Sequence, residues 1–497
     1  MTDRGASKPN AKPAVSADAT GREADLADER KRRGAILFTA FEPSGDAHAA
    51  PVIAELKARD PGLLIYAWGG PKMEAAGATL ISSTCDDGAM GLDGFKKIAA
   101  VRSEIQKLKR WVTQHRVTVH VPVDSPAANF PIAKHLKPKG VRVAHLVAPQ
   151  IWAWGPWRIG KLRKCTDCVM CLLPFEEQWF RTRQVPARFI GHPVINRELD
   201  TAAIAQRVKT MPQGAPRLLL LPGSRSSEVR RNLRLLVQSY VELADRNRGM
   251  AALIVAANER LARLMREMLG DLPVGLHIIV GDIDAAIHWC DIALTVSGTV
   301  SLDLTRQHRP MIGIYRTGLL SWLGAKIMLR TPYRLLPNII AEREIVPEFV
   351  PAPPWLSAKT IVDAATRFLR DSRTIAVAAE ELRRVELRFH GRHPDVAAAD
   401  IILRLIDNRP IEDPKAAQEA PPPTVDPDLA ALDRLASQAT RGGATSGATN
   451  GGASGGASGG ASTKPPREGR RERLFTEGLN RDQSSDAGKS GRETKGG

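Results

Sequence analysis

The chain has 497 residues, a hydrophobic content of 43% and a formal net charge of +17, which suits a globular protein of two or three domains. No apolar run reaches the roughly 18 residues of a membrane-spanning helix, and residues 1–33 lack the apolar segment of a secretory signal, so we expect a cytoplasmic protein. The basic excess favours an anionic partner. Because no zinc-finger spacing, RNP aromatic pair or basic heptad region accompanies it, we expect no nucleic-acid partner.

The two ends of the chain have the composition of disordered tails. Residues 1–33 are polar and charged without periodicity. Residues 410–497 combine a Pro-rich stretch with the low-complexity run GGATSGATNGGASGGASGGAST. We predict that both are disordered, and we assign no enzymatic role to the C-terminal one.

Residues 34–200 alternate between short apolar runs and amphipathic segments. Strands separated by helical patterns are typical of a parallel sheet with crossover helices, so we predict a first Rossmann-like α/β domain here. The strand candidates are AILFTA, LLIYAWGG, VTVHVPVD, VRVAHLVAP, DCVMCLLP and ARFIGHP, and the helix candidates are APVIAELKARD and KKIAAVRSEIQKLKRWVTQHR.

A second alternating series predicts a second Rossmann-like domain over residues 201–409, whose last helices could pack back on the first domain. The polar segment INRELDTAAIAQRVKTMPQGAP is interpreted as the connection between the domains. Two α/β domains of similar size with a cleft between them are the expected architecture. The strand candidates are PRLLLLPGSR, AALIVAA, LHIIVG, DIALTVSGTVSLDL and PMIGIYR, and SSEVRRNLRLLVQSYVELADR is a long helix candidate.

Three closely spaced cysteines, Cys165, Cys168 and Cys171, have a spacing that also occurs in iron–sulfur proteins. Their surroundings, TDCVMCLLPFEE, are typical of a buried strand that ends at Pro174, in which cysteine acts as a small apolar residue. A cluster would also need a fourth thiolate nearby, and the other two cysteines are far away in sequence. The buried strand is the favoured interpretation, and an iron–sulfur site is the alternative.

Parallel α/β sheets bind ligands at the carboxyl ends of their strands, so the loops after strand candidates are the candidate sites. The first, FEPSGD, carries Glu42 and Asp46, with Ser44 and Gly45 between them. Ser44 could cap the following helix, and Gly45 could allow a ligand to approach the backbone. A well-capped helix start would explain Ser44 and Asp46 but leaves Glu42 unexplained.

The second candidate loop follows VTVHVPVD and contains Asp124. A carboxylate at the tip of a strand can act as a general base in a cleft. It can also begin an Asx-turn that leads into Pro126. From the residues alone, the two interpretations are equally supported.

Two loops of the second domain could bind anions. Gly223, Ser224 and Arg225 stand between a strand and a helix, where backbone N–H groups and a guanidinium suit a phosphate, although the P-loop pattern is absent.

The other anion-binding candidate is the loop Ser297, Gly298 and Thr299, which could meet a second part of a nucleotide diphosphate. Asp303, one turn into the following helix, could reach a ribose diol. Two such loops opposite a domain with carboxylates indicate a nucleotide-sugar donor.

An ordered set of motifs over roughly residues 35–405 resembles the lipid-A-disaccharide synthase family, which consists of two-domain glycosyltransferases of the GT-B kind. Each motif is weak alone, but their order and spacing together are highly specific. The motifs are EPSGD (42–46), GGPKMEAAG (69–77), GAMGLDGF (88–95), APQIWAWGPWRIGKL (148–162), LLPFEEQWF (172–180), RFIGHPV (188–194), LLPGSR (220–225), SGTVSLD (297–303) and LPNIIAEREIVPEF (336–349).

The resemblance implies an inverting hexosyltransferase of lipid A biosynthesis. Such an enzyme transfers the sugar of UDP-2,3-diacylglucosamine to 2,3-diacylglucosamine-1-phosphate (lipid X) and forms a β-1,6-linked disaccharide phosphate and UDP. One base must deprotonate the acceptor hydroxyl, and positive groups must stabilise the departing diphosphate. No metal or other cofactor is implied.

The resemblance also implies roles for individual residues. Asp124 falls where the family carries its candidate base, and Glu42 falls in the acidic turn beside the acceptor, which would present Asp46 to the sugar as well. Asn129 and Asn338 are expected to bind substrate. The turn would be shaped by Ser44 and Gly45, and UDP would be bound by Gly223, Ser224, Arg225, Ser297, Gly298, Thr299 and Asp303.

Three further residues match the family, and each of them has two interpretations. Trp152 and Trp154 could contact acyl chains, but a packed core is at least as well supported. His192 could make a structural hydrogen bond or touch substrate.

The chain departs from the family's usual pattern at several positions. Phe41 stands where the family usually has Gly, and we expect it to crowd the site. The acceptor-side loop after Asp124 carries alanines, and the other changes concern the ribose and the VPEF-like segment. These positions are Phe41, Ala127, Ala128, Asp303 and Pro351.

The lipid substrates imply peripheral contact with the cytoplasmic face of the inner membrane. Residues 317–340, TGLLSWLGAKIMLRTPYRLLPNII, have the profile of an interfacial helix, with a core or dimer-contact helix as an equally supported alternative. A homodimer is possible. The rival functions are another UDP-GlcNAc-using GT-B enzyme and a non-catalytic paralogue that binds UDP-sugar or lipid.

Overall fold

The computed structural model describes residues 34–85, 94–316, 318, 331–353 and 355–411. Within these residues, thirteen strands form two sheets in which every strand pair is parallel. The buried side chains of each sheet divide between apolar clusters on its two faces, so helices cover both faces. The predicted α/β class with two parallel sheets is confirmed. The predictions for residues 1–33 and 412–497 fall outside the described residues.

The first sheet belongs to the N-terminal half of the chain. Its strands are β1 (Ala35–Thr39), β2 (Leu64–Gly69), β3 (Thr79–Ser83), β4 (Val117–Pro122), β5 (Arg142–Leu146), β6 (Cys168–Cys171) and β7 (Ala187–Phe189). The helices of this half are α1 (Pro43–Arg59), α2 (Pro71–Ala75), α3 (Gly94–Trp111), α4 (Pro126–Leu136), α5 (Ile151–Trp154), α6 (Ile159–Cys165), α7 (Pro174–Arg181) and α8 (Pro193–Asn196). The strands lie side by side in the order β3-β2-β1-β4-β5-β6-β7.

The second sheet belongs to the C-terminal half. Its strands are β8 (Arg217–Leu221), β9 (Ala251–Ala256), β10 (Leu276–Val280), β11 (Ile292–Val296), β12 (Met311–Arg316) and β13 (Glu348–Ala352). The helices are α9 (Thr201–Lys209), α10 (Ser226–Arg246), α11 (Glu259–Leu269), α12 (Ile283–Trp289), α13 (Val300–Arg306), α14 (Leu336–Ala341), α15 (Ala358–Arg370), α16 (Ser372–Leu387) and α17 (Pro394–Ile406). The strand order is β10-β9-β8-β11-β12-β13.

Each sheet has one point at which the order of its strands reverses, between β1 and β4 in the first sheet and between β8 and β11 in the second. The loops after such neighbouring strands run to opposite faces and leave a crevice, where α/β proteins bind ligands. The Glu42 turn follows β1 and the Asp124 loop follows β4. Likewise, the Gly223 loop follows β8 and the Ser297 loop follows β11. All four candidate loops therefore start from reversal points.

The two halves are joined by apolar packing and by the end of the chain. One buried cluster combines Trp152 and Phe189 of the first half with Leu302 and Phe389 of the second. The last helix, α17, then returns to the first half and packs with α1 and β4, which places Ile402 in the core of the first sheet.

Three differences between the structure and the predicted elements concern the connection between the halves and two strands. The polar connection over residues 195–216 contains a helix, α9, whose N-terminus is capped by Asp200 accepting the N–H of Ala203 at 2.9 Å. Strands β3 and β13 were not predicted, because TLISS and EFVPA are short and half-buried and lack a clear apolar run. Every strand candidate contains a strand.

The cysteine triplet is structural. Cys165, Cys168 and Cys171 are buried and belong to three different apolar clusters. Burial raises the pKa of the Cys168 thiol to about 12 and that of Cys171 well above its ordinary value, as expected of thiols packed among apolar side chains. The buried-strand interpretation is confirmed. No described helix is both long and apolar enough to span a bilayer.

Because two histidines are buried in the first half, we expect acid to destabilise it. His120 on β4 and His145 on β5 are fully buried, and burial lowers the pKa of each to about 3. Since an unfolded histidine titrates near 6.5, the unfolded chain binds protons below that pH that the folded chain does not. We therefore expect the free energy of unfolding to fall by roughly 1.4 kcal/mol per pH unit for each histidine between about pH 6 and 4.

Denaturant unfolding at pH 7.5 and pH 5 measures this effect, and His145→Leu is the informative variant. Neither ring nitrogen of His145 has a partner among the described residues, and its ring packs edge-on against Phe130 at 5.7 Å between centroids. The variant should keep its stability at pH 7.5 within about 1.5 kcal/mol and lose less on acidification. An unchanged dependence on pH would contradict the assignment.

Candidate active site

The candidate base, Asp124, occupies an unusual backbone conformation at the carboxyl end of β4. Asp124 and Ser125 both have left-handed backbone angles, with φ of 47° and 40°. Such conformations cost energy in residues with a Cβ and persist only where surrounding contacts impose them. The Asp124 N–H donates to the Leu146 carbonyl of β5 at 3.0 Å, and the residue is half-buried. The structure thus fixes the backbone that carries this carboxylate at the reversal point of the first sheet.

The contacts that impose this conformation come from Asn129. Its Nδ2 donates to the carbonyls of Val123 and Asp124 at 3.0 and 2.7 Å, and its Oδ1 accepts the Thr39 hydroxyl at 2.7 Å. Thr39 in turn lies 2.9 Å from His120 Nε2. Asn129 is fully buried, and these bonds are all made inside the protein, so it positions the Asp124 loop. Its predicted contact with substrate stays a prediction.

The acidic turn after β1 begins α1 in a different way from the one predicted. The N-cap of α1 is Glu42, which makes no side-chain capping bond, and Ser44 lies exposed within the first turn of the helix. The predicted capping by Ser44 is therefore wrong. Because its carboxylate makes no capping bond, the half-buried Glu42 side chain is left available on the edge that carries Asp124.

Gly45 and Phe41 turn out to be packing residues. Gly45 is buried, and a Cβ there would lie 2.9 Å from Ala40 Cβ, so the glycine allows α1 to pack against the end of β1. Phe41 is 8% exposed and packs with Trp68 in the core of the first half. Phe41 thus turns into the core and does not crowd the site, which corrects that expectation. The predicted role of Gly45 as a ligand approach stays a prediction.

Asp46 also has a structural role, and its predicted contact with the sugar stays a prediction. It is 3% exposed, and its carboxylate accepts the backbone N–H groups of Lys72 and Met73 at 3.1 and 2.9 Å. These are donors of the first turn of α2, which a carboxylate stabilises. A Cβ at Gly70 would lie 2.5 Å from Asp46 Oδ2, which explains the glycine before Pro71 in the motif GGPKMEAAG.

His48 is a residue of this edge that the sequence analysis missed. It lies half-buried in α1, one turn after Ser44, and its ring stands edge-on to the ring of His192 at 6.3 Å. Burial lowers the pKa of His48, whereas the neighbouring Asp124 carboxylate acts to raise it. The one sequence signal was its helical spacing from Ser44. His192 is 4% exposed and its Nδ1 accepts the Val194 N–H at 3.2 Å, so it caps α8.

The first anion-binding candidate is partly filled by a side chain of its own helix. Gly223 has a φ of 119°, and Ser224 and Arg225 are exposed at the start of α10. The carboxylate of Glu228 accepts the Ser224 N–H at 3.1 Å and the Arg225 N–H at 3.3 Å, and it pairs with the Arg225 guanidinium at 3.1 Å. The loop therefore already holds one anion in the position expected of a phosphate.

This contact makes a prediction about nucleotide binding. Glu228→Gln should tighten UDP binding by about threefold to tenfold, because it removes a negative charge beside Arg225 while keeping an acceptor for the loop amides. Arg225→Ala should weaken UDP binding by about tenfold or more. Isothermal titration with UDP measures both. Unchanged affinity in both variants would place the diphosphate elsewhere.

The second anion-binding candidate is open. Gly298 and Thr299 are exposed and Ser297 is half-buried. A Cβ at Gly298 would meet no atom within 4 Å, so the space beside the loop is free for a ligand. The loop is held from behind by Ser301, whose hydroxyl donates to the Gly298 carbonyl at 2.6 Å.

Asp303 belongs to an ion-pair cluster that links the two halves. Its carboxylate lies 3.4 Å from the Arg197 guanidinium and 3.7 Å from that of Arg306, and both arginines also pair with Asp284. Burial raises the pKa of Asp303 to about 6, although both arginines act to lower it. The predicted ribose contact would thus use a carboxylate that already has cationic partners, and it stays a prediction.

Asn338 is a structural residue as well. It is fully buried, its Oδ1 accepts the Ile345 and Val346 N–H groups at 2.9 and 3.1 Å, and its Nδ2 donates to the Val346 carbonyl and to Glu348 at 2.8 and 3.1 Å. Both polar atoms of its side chain are therefore bonded inside the protein, and the predicted substrate contact stays a prediction.

The described part of the predicted interfacial helix is also core. Leu335, Pro337 and Ile340 are buried around Asn338, so residues 331–340 favour the core alternative. Residues 317 and 319–330 lie outside the described residues.

The first of the two tryptophans that match the family is buried in the core. Trp152 is 7% exposed, and its indole N–H donates to Glu176 Oε1 at 3.0 Å. Glu176 Oε2 accepts the N–H groups of Leu172 and Leu173. Burial raises the pKa of this carboxyl to about 7, although these hydrogen bonds act to lower it. The core interpretation of Trp152 is confirmed. Trp154 remains half-buried.

The geometry supports acid–base chemistry in the first half and anion binding in the second. Glu42, Asp124 and His48 are titratable groups at the reversal point of the first sheet. Arg225 and the open loop at Ser297 lie at the reversal point of the second sheet. Across the described residues, no group of three or more His, Cys, Asp or Glu side chains could hold a metal ion.

Comparison with known proteins gives consistent matches. The family model described as lipid-A-disaccharide synthetase matches residues 36–390. The chain is 32% identical to the lipid-A-disaccharide synthase of Myxococcus xanthus over 323 residues, which is 63% of this chain and 83% of that protein. It is 30% identical to that of Dechloromonas aromatica over 383 residues, 74% of this chain and 97% of that protein.

A solved structure shows the same fold at low identity. The UDP-GlcNAc 2-epimerase of Neisseria meningitidis, bound to UDP-GlcNAc, superposes with a TM-score of 0.51 at 12% identity, over 75% of this chain and 99% of that one.

Proposed function

The chain belongs to the lipid-A-disaccharide synthetase family, and from that membership we propose how its residues carry out the family's reaction. It is a glycosyltransferase of lipid A biosynthesis. Its proposed donor is UDP-2,3-diacylglucosamine, and its proposed acceptor is lipid X. The family match supports this proposal most strongly, together with the position of Asp124 at the reversal point of the first sheet.

Asp124 is proposed to be the general base. Inversion requires the acceptor hydroxyl to attack the anomeric carbon from the face opposite UDP, while a carboxylate removes its proton. A rigid side chain is suited to this work, because a base must hold its position to within a fraction of an ångström. The backbone that carries it is held by the bonds that Asn129 donates to the Val123 and Asp124 carbonyls, and by the bond that the Asp124 N–H donates to Leu146. Glu42 is proposed to orient the acceptor from the neighbouring turn.

The departing diphosphate is proposed to bind between the loops after β8 and β11. Arg225 provides a guanidinium whose side chain is 65% exposed, and the amides near Ser297 and Thr299 provide neutral donors. Donors of this kind stabilise developing charge on a leaving group without a metal ion. Asp303 is proposed to accept from the ribose hydroxyls.

Both substrates carry acyl chains, so we propose peripheral contact with the cytoplasmic face of the inner membrane. A homodimer is kept as a proposal without a surface assigned to it.

The test is release of UDP by the purified full-length protein. It should require both UDP-2,3-diacylglucosamine and lipid X, and the lipid product should be a disaccharide monophosphate by mass spectrometry. Dependence on both substrates excludes simple hydrolysis of the donor. Binding of UDP without release at any acyl length would instead support a non-catalytic paralogue, and release with UDP-GlcNAc would support another sugar-nucleotide enzyme.

A further inference from the structure

One surface of the first half combines an exposed tryptophan with a run of basic side chains. Trp157 is 66% exposed in the 3-10 turn Pro156–Arg158, between α5 and α6. Lys161, Arg163 and Lys164 follow on the exposed side of α6. We call these residues, together with Arg158, the Trp157 surface. An exposed tryptophan set among basic side chains is the combination found where proteins meet the surface of a bilayer.

Contacts within the protein hold the Trp157 surface in one conformation. The Arg158 guanidinium stacks on the Trp154 ring at 4.1 Å from its centroid, and the Arg158 N–H donates to the Gly155 carbonyl at 2.9 Å. The Arg163 guanidinium donates to the Arg183 carbonyl at 2.8 and 3.2 Å. The turn is thus held in one shape, with Trp157 at its tip.

The charge around this turn has one sign over a long stretch of chain. Residues 125–166 contain no Asp or Glu. The C-terminal tail offers no comparable positive field, because residues 412–497 contain twelve basic and twelve acidic residues. The Trp157 surface is therefore a better candidate for attracting an anionic surface than the tail is.

The position of the turn relates it to the candidate base. It lies in the connection that leaves the carboxyl end of β5, and Asp124 donates its N–H to the last residue of that strand, Leu146, at 3.0 Å. The turn therefore stands on the sheet edge to which an acceptor must come.

We propose that the Trp157 surface is where the protein contacts an anionic phospholipid bilayer, so that lipid-borne substrates reach Asp124 without leaving the membrane. Tryptophan favours the interface between headgroups and acyl chains, and lysine and arginine are drawn to anionic headgroups. This inference rests on the proposed function, since it assumes substrates that reside in a bilayer.

The test uses the full-length protein and vesicles of phosphatidylcholine with or without about one third phosphatidylglycerol. The wild type should co-sediment with the anionic vesicles much more than with the neutral ones. Trp157→Ala and Lys161→Glu/Lys164→Glu should each reduce that binding by about tenfold or more. The matched control is Arg263→Glu/Arg266→Glu, which reverses two exposed charges on α11 and should bind as the wild type does.

An activity measurement separates this inference from the function itself. The Trp157-surface variants should release UDP at wild-type rates when both substrates are dispersed in non-ionic detergent, and should lose about tenfold when the substrates are embedded in vesicles. If the wild type released no UDP in either form, the proposed function would fail, and vesicle binding would still decide on the surface. Wild-type vesicle binding in both surface variants, or loss in the α11 control alone, would overturn the inference.

Discussion

Asp124→Asn is expected to lower the rate of UDP release by about 10³-fold, and in any case by more than 10². The amide keeps the size of the carboxylate and the backbone bond to Leu146, but cannot accept the proton of the acceptor hydroxyl. UDP affinity should stay within about twofold, because the nucleotide is proposed to bind the other half of the protein. Initial rates of UDP release with saturating substrates, together with titration by UDP, measure the two effects separately.

The matched control for this variant is Asp46→Asn, which removes a second carboxylate from the same half. Its carboxylate caps α2, so the substitution should cost about 1–2 kcal/mol in the free energy of unfolding and leave the rate of the folded protein within a few-fold. A large loss of rate in Asp46→Asn would place that residue in the active site. A rate for Asp124→Asn close to that of the wild type would remove Asp124 from the role of base.

Asn129→Ala is expected to have the second-largest effect, and to act on stability and rate together. The change leaves the carbonyls of Val123 and Asp124 and the Thr39 hydroxyl without the partner they now have, in a fully buried site. Unsatisfied buried groups of this kind cost about 2–4 kcal/mol in total. Because the left-handed backbone at Asp124 is then free to relax, we also expect a loss of about 10² in kcat with little change in the affinity for UDP.

Two comparisons separate positioning from simple destabilisation. Thr39→Val removes one member of the network and should lose less of both quantities. Asn258→Ala removes an asparagine that caps α11 by accepting the Leu261 N–H at 3.0 Å, far along the chain from Asp124, and should cost about 1 kcal/mol in stability without lowering kcat. If Asn129→Ala lowered stability but kept the wild-type kcat at a temperature where it is folded, Asn129 would be a structural residue only.

The sequence predicted where the functional loops lie better than it predicted which side chains face outward. Alternating apolar runs were enough to place the Glu42, Asp124, Gly223 and Ser297 loops at the ends of parallel strands. Which pairs of loops are neighbours depends on the strand order, and a single sequence does not contain it. The observed order brings Glu42 and Asp124 to one reversal point.

Polar residues near those loops show what the sequence could not predict. Asp46, Asn129 and Asn338 all have residue types suited to binding a sugar, yet each turns inward and bonds to backbone groups. An inward and an outward amide look the same in a sequence, because the choice depends on which backbone groups the tertiary fold leaves unsatisfied. His48 shows the opposite case, since a histidine inside an apolar helix gave little sign of its proximity to Asp124.

The return of α17 to the first sheet has a consequence for the order in which the protein is completed during synthesis. Ala398, Ile402 and Leu405 belong to the same buried cluster as Ile36 of β1, so the two ends of the described chain share one core. Domains generally fold as they leave the ribosome, from the N-terminus onward. Here the N-terminal half must wait, with part of one apolar face uncovered, until the C-terminal half and α17 have been translated. The half that is translated first is therefore the last to complete its core.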